Sequence, residues 1–339
     1  MPKITGYGEL LLRMTPAKHG GLIEQSSLLQ MDFGGAEANI LTNLSFFGHD
    51  TSFVSALPDN PIGASAFNHL KSLGVNMDNT PFYNGRMGVY YIEHGHSIRG
   101  GRVTYDRADS TFCYCIISEK EWDTIMKTQN IFVLTGVTPA LSILAQENVR
   151  FALEAAKRNN VKVAFDLNYR RTLWSVEDAR KSFDEILPNV DFLFANLGSA
   201  QDLYNFPKVD INSTENLIAQ TRKATDFLEE HGHFSMLAMT MRLQESANKN
   251  HFCGLIKAGK NFSISKPIYT DVLDRIGGGD AFVSGVLHGL SNKWGNDKTV
   301  HFATTMYAAL HTQYGDINRM KEEEIQAIAD GDILGYLKR

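Results

Sequence analysis

From about residue 130 onward, short runs of β-branched and aromatic residues alternate with longer stretches whose apolar positions recur every three to four residues. The first pattern suits a strand buried on both faces of a sheet, and the second places one apolar stripe along a helix. Strands are predicted over 131–137, 161–167, 191–195 and 234–241, and helices over 141–158, 176–187 and 214–231. Ser175 and Asp178 stand at capping-box spacing at the start of the second helix. This alternation implies βαβ units, right-handed crossovers and a parallel sheet covered by helices on both faces.

The first third has a different rhythm. Residues 36–47 read as a helix closed by Gly48, and Asn60-Pro61 opens a second that Gly74 ends. Around them lie Gly-punctuated strand-like pieces, 10–14, 22–33 and 88–104, with no helix between them. They predict an antiparallel flap or lid on the α/β body. With no repeat and no Pro/Ser-rich linker, the chain reads as one domain over 1–339, its lid strands drawn from about 10–33 and 88–107.

Composition narrows the classes. At 43% hydrophobic and 21% charged, the 339 residues are those of a folded protein, and 33 Lys+Arg against 38 Asp+Glu give a net charge of −5, which speaks against a nucleic-acid partner. No apolar run reaches the ~20 residues of a membrane span and the N-terminus lacks a signal-peptide core, so a cytoplasmic location is expected. Cys113, Cys115 and Cys253 are too few for a disulfide framework and read as buried thiols. His94-Gly95-His96 reads as a hairpin, and no metal-binding residues are assigned.

The strongest chemical signal is Asp274-Arg275-Ile276-Gly277-Gly278-Gly279-Asp280, running into an apolar helix. Glycines admit close backbone approach, and the free N–H groups and dipole of a helix start favour an anion. Asp280 in that position suits a base for an attacking hydroxyl; the alternative is an N-cap. The P-loop pattern and the dinucleotide Gly-x-Gly-x-x-Gly are both absent.

Asp274-x-x-Gly277-Gly278-Gly279-Asp280 resembles the C-terminal signature of the ribokinase family (PfkB-type) of carbohydrate kinases, and Gly34-Gly35-Ala36-Glu37-Ala38-Asn39 its sugar-binding signature. Tyr90-Tyr91, Tyr105-x-Arg107, Asn168-x-Arg170 and Gly315-Asp316 extend the resemblance to the 2-keto-3-deoxygluconate kinases of that family. It implies a ribokinase-like three-layer α/β/α sandwich with a mainly parallel sheet and a small β-sheet lid. It also implies ATP with Mg²⁺, Asp280 as the catalytic base, and Gly34, Gly35, Asn39, Tyr90, Tyr105, Arg107, Arg170, Asp280 and Asp316 on the sugar acid. The nucleotide would meet Asn168, Asn196, Thr240, Arg242, Gly277, Gly278 and Gly279. Arginine forks suit the acid's carboxylate. The resemblance has gaps: Ser199 stands where an Asn-x-x-Glu would help organise Mg²⁺, and Thr240-x-Arg242-x-x-x-Ser246 replaces a Gly-containing nucleotide loop.

The implied activity is transfer of the ATP γ-phosphoryl group to the terminal hydroxyl of 2-keto-3-deoxy-D-gluconate. Alternatives are a kinase of the same fold for fructose, ribose, a nucleoside or another sugar acid, and a non-catalytic sugar-binding module. A strand-built lid further suggests a homodimer.

Overall fold

The computed structural model describes residues 1–18 and 20–332; the rest of the expected domain, 333–339, lies outside the described residues. Its main sheet runs in the order Asn261–Ile264, Lys249–Ala258, Met236–Gln244, Phe192–Asn196, Lys162–Asp166, Ile131–Thr135, Lys3–Tyr7 and Asp50–Val54, with Ile268–Asp271 also paired to Lys249–Ala258. The six strands from Met236–Gln244 to Asp50–Val54 are mutually parallel, and the remaining edge is antiparallel. The four predicted strands form its centre, their ends shifted by up to three residues.

Side-chain alternation explains why the sheet is covered twice. Phe132, Leu134, Val163, Phe165, Leu193, Leu237 and Met239 enter one core, with helices Ile143–Arg158, Val176–Ile186 and Thr214–Glu229. Ile131, Val133, Ala164, Phe194, Met236 and Ala238 enter the other, with helices Ala36–Phe46, Pro61–Ser72 and Gly278–Ser291. Helix Gly278–Ser291 lies tight against Asn296–Leu310, because a Cβ at Gly285 would come within 2.6 Å of Ala303 Cα. Asn60 caps Pro61–Ser72 as expected, its side chain accepting from Ile62 and Gly63 N–H.

The expected small sheet is present in the order Leu29–Gly34, Leu11–Pro16, Val89–Glu93, Arg102–Asp106. Two details differ from the expectation. Only Leu29–Gly34 of the 22–33 piece is a strand, since Ile23–Gln25 coils into a 3₁₀ turn. Leu11–Pro16 and Val89–Glu93 pair in parallel, so the sheet is mixed; the helices between these strands pack on the main body instead of crossing the small sheet. His96 and Arg99 close a hairpin, and all three cysteines are buried. Among the described residues no helix is long and apolar enough to cross a membrane.

Following the chain from Lys3–Tyr7, the first crossover adds Asp50–Val54 on one side and the next adds Ile131–Thr135 on the other. Reversal of strand order leaves a crevice at the carboxyl ends of the strands, the usual place for a ligand in an open α/β sheet.

Candidate active site

A cleft of about 880 Å³ lies at those carboxyl ends, between the small sheet and the start of helix Gly278–Ser291. Gly35, Asn39, Tyr90, Tyr105, Arg107, Asn168, Arg170, Asn196, Thr240, Arg242, Gly277, Gly278, Gly279, Asp280 and Asp316 all line it. Residues from both ends and the middle of the chain thus converge on one space. Gly34 is not part of the lining. The Tyr90 hydroxyl and Asp316 carboxylate occupy the space of any side chain there, so Gly34 permits their approach.

Gly277 forms the cap of the helix, in the left-handed region at φ 79°, where a Cβ would collide with the Asp316 carbonyl. This corrects the alternative reading of Asp280 as the N-cap: Asp280 is the third helical residue and its carboxylate turns inward. Asn39 Nδ2 donates to Asp280 Oδ2 at 2.7 Å, while Asn39 Oδ1 accepts from Gly35 N–H at 3.3 Å. Both ends of the Asn39 amide are committed, so this residue orients Asp280. Burial pushes the Asp280 carboxyl up to about 8; the Asn39 bond and Arg170 oppose the rise, and Asp166 and Asp316 add to it.

Asp166, at the end of its strand, accepts from Asn168 N–H at 3.1 Å, and burial lifts its carboxyl to about 6. Asn168 itself has a φ of 29°, held by that turn. Asn196 and Ser199 exchange side-chain and backbone hydrogen bonds at 2.9 and 3.0 Å. Ser199 therefore completes a capping box for helix Leu197–Tyr204 where the resemblance leads one to expect glutamate. Among the described residues no group of three or more His, Cys, Asp or Glu is placed to hold a metal ion.

On the small-sheet side, Arg107 donates to Glu9 Oε2 from Nε at 2.8 Å and Nη2 at 2.5 Å, and its guanidinium stands 5.7 Å from the Tyr105 ring centre. Tyr90 is buried, stacks on Tyr105 at 6.2 Å and donates to Asp316 Oδ2 at 2.5 Å. Opposite them, Arg242 is exposed on the cleft wall beside Arg275. Arg275 donates to the Ala247 carbonyl at 2.7 Å, and burial followed by the nearby Arg242 charge lowers its pKa.

Sequence reasoning missed Glu9 and Arg13. Arg13 is buried between Asp274 and Asp316 and donates to both. Its signal was a lone cation in the otherwise apolar run Leu10-Leu11-Leu12-Arg13-Met14, where an unpaired charge has no place. Glu9 stands one residue beyond the first strand, after Gly8, but matches no motif.

An α/β sheet with a smaller sheet over a cleft that joins a glycine-capped helix, a buried carboxylate and several arginines is the layout of a carbohydrate kinase. The chain belongs to the pfkB family carbohydrate kinases, whose model matches residues 1–323. It is 29% identical over 334 residues, 98% of each chain, to a 2-dehydro-3-deoxygalactonokinase of Haloferax volcanii. Among solved structures it is similar to a 2-dehydro-3-deoxygluconokinase from Thermotoga maritima, with TM-score 0.91, 30% identity and coverage of 98% of this chain and 100% of that one. A putative 2-keto-3-deoxygluconate kinase from Enterococcus faecalis superimposes with TM-score 0.88 at 27% identity, covering 100% and 99%.

Proposed function

We propose that the protein transfers the γ-phosphoryl group of ATP to the terminal hydroxyl of 2-keto-3-deoxy-D-gluconate, giving the 6-phosphate. The observation that carries this reading is the placement of Asp280: a buried carboxylate, held by Asn39, in the first turn of a glycine-capped helix inside an arginine-lined cleft. The names of the relatives above point to the same substrate class and differ in the sugar's stereochemistry.

The residues present fit such a substrate pair. Arg170 offers a fork for the sugar carboxylate, Arg107, whose Nε and Nη2 are taken by Glu9, offers its other terminal nitrogen, and Asp316, Tyr90 and Tyr105 offer partners for the hydroxyls. Asp280 takes the hydroxyl proton as the new O–P bond forms, while the helix start from Gly277 to Asp280 stabilises charge on the moving phosphoryl group. Arg242 and the backbone at Gly277, Gly278 and Gly279 hold the phosphates, with Thr240, Asn168 and Asn196 along the same wall. The open space at Gly279, where a Cβ would meet nothing, is the fit for a polyphosphate. Mg²⁺, when bound, would supply neutralisation of phosphate charge, and because Ser199 is spent on its capping box the ion would be carried mainly by phosphate oxygens and water.

Incubation with ATP and the keto-deoxy acid, followed by ³¹P spectroscopy, should show a sugar 6-phosphate; ADP with only inorganic phosphate would count against the reading. The assembly is proposed to be a homodimer through the small sheet, whose edge strand Leu29–Gly34 exposes Met31 next to an exposed Leu28. The cytoplasm is its proposed location.

A further inference from the structure

One side chain ties the small sheet to the loops around the cleft. Arg13 lies in strand Leu11–Pro16, 4% exposed, with Nε donating to Thr15 Oγ1 at 3.3 Å. Its two terminal nitrogens diverge, one donating to Asp316 and the other to Asp274. Asp316 is held on its second oxygen by Tyr90, from the neighbouring strand Val89–Glu93. Asp274 accepts from Ile276 N–H at 3.2 Å and Gly315 N–H at 3.1 Å, which anchors the turn leading into Gly277.

Two carboxylates, 1% and 4% exposed, therefore share one guanidinium, with His94 Nδ1 3.8 Å from Asp274. Burial works against the Arg13 charge, but Asp316 and Asp274 outweigh it. Burial likewise raises the Asp316 carboxyl and Arg13 opposes that rise, so loss of Arg13 would favour the neutral acid. A neutral Asp316 would present a donor where a sugar hydroxyl needs an acceptor. Arginine suits the place because its fork meets two acceptors at once, which a lysine ammonium on a flexible stem does not.

We propose that Arg13 is a positioning residue for the sugar half of the cleft: its fork fixes Asp316 and Tyr90 in their binding orientation and locks the small sheet to the Asp274 turn. This rests on the reading of Asp316 and Tyr90 as sugar contacts. Arg13's hydrogen bonds end on Thr15, Asp274 and Asp316 and reach the glycine helix start only through the Asp274 turn, so its loss should fall far more heavily on the sugar than on the nucleotide.

The test first finds which sugar the wild-type protein phosphorylates, then measures KM for that sugar and for ATP in Arg13→Lys and Arg13→Met. Expected are sugar KM values raised ~10-fold in the lysine variant and ~100-fold in the methionine variant, the scale of an ångström-level misplacement, with ATP KM within about threefold of wild type. Removing one member of a buried ion cluster can prevent folding. Should Arg13→Met not fold, Arg13→Lys decides alone, because it keeps the charge and loses only the fork. A lysine variant with wild-type sugar KM, or parallel rises in KM for sugar and ATP, would overturn the proposal. Wild-type preference for a neutral sugar would instead overturn the sugar-acid reading, with Arg13 still judged on that sugar's KM.

Discussion

Asp280 is asked for opposite things by the fold and by the chemistry proposed for it. Its carboxyl titrates near 8 in the fold against 3.8 when unperturbed, so the fold disfavours its ionised form. Its effect on stability is therefore nil below the unfolded value and becomes a growing penalty as pH rises from about 4 to 8. Asp280→Asn removes that charge while keeping the Asn39 contact. Its melting temperature should exceed the wild type's at pH 8, by on the order of 1–3 kcal/mol in stability, and match it at pH 4. Turnover should fall by roughly 10² to 10⁴, the usual scale for losing a general base. Wild-type kcat/KM for the sugar acid should rise about tenfold per pH unit toward pH 8 and then level, because the base must be deprotonated to act. A flat profile from pH 6 to 9 would remove Asp280 from that role. Arg107→Ala should reduce kcat/KM for sugar acids by about 2 to 4 kcal/mol and spare neutral hexoses. It also strips the buried Glu9 of its partner, so adding Glu9→Gln should recover stability without restoring acid use. Equal losses for acids and neutral sugars would show that Arg107 does not read the carboxylate.

The helix Gly278–Ser291 is the element on which the proposed nucleotide half depends, and its geometry rests on Gly277. Alanine there must adopt a positive φ and meet the Asp316 carbonyl, so Gly277→Ala should cost about 1–3 kcal/mol of stability and weaken ATP binding measured by calorimetry. An alanine variant with wild-type stability and ATP affinity would show that the turn tolerates a side chain. The elements legible in the sequence were those whose burial pattern is local. Ile131–Thr135 and Lys162–Asp166 contain the unbroken apolar runs 131–134 and 163–165, and Ala36–Phe46 and Pro61–Ser72 carry their own stop and start residues. Lys3–Tyr7 and Asp50–Val54 went unread because polar or small residues interrupt each, Thr5 and Gly6 in one and Thr51 and Ser52 in the other, and their partners lie 47 residues away and, for Ile131–Thr135, farther still. The parallel pairing of Leu11–Pro16 with Val89–Glu93 has no local signature at all. The candidate site was legible where glycines and motif spacing mark it. Glu9 could be recognised only through Arg107, distant in sequence, whereas Arg13 was marked as a lone cation in an apolar run but its role needed Asp274 and Asp316.

For the whole molecule, the fold brings residues from positions 9 to 316 around one cleft, and the family match spans residues 1–323. Dimerisation through the small sheet predicts twice the chain mass of 37.8 kDa by light scattering at micromolar protein, and a monomeric mass would exclude it. The central claim, a kinase selective for a keto-deoxy sugar acid, is tested most directly by coupled ADP release. One measurement compares kcat/KM for 2-keto-3-deoxygluconate, its galactonate-derived epimer, fructose, ribose and a nucleoside. The cleft's arginines predict that the two acids exceed every neutral substrate by at least about tenfold, the effect of roughly 1.4 kcal/mol from a charge-assisted contact. Equal or greater efficiency with a neutral sugar or nucleoside would contradict the account.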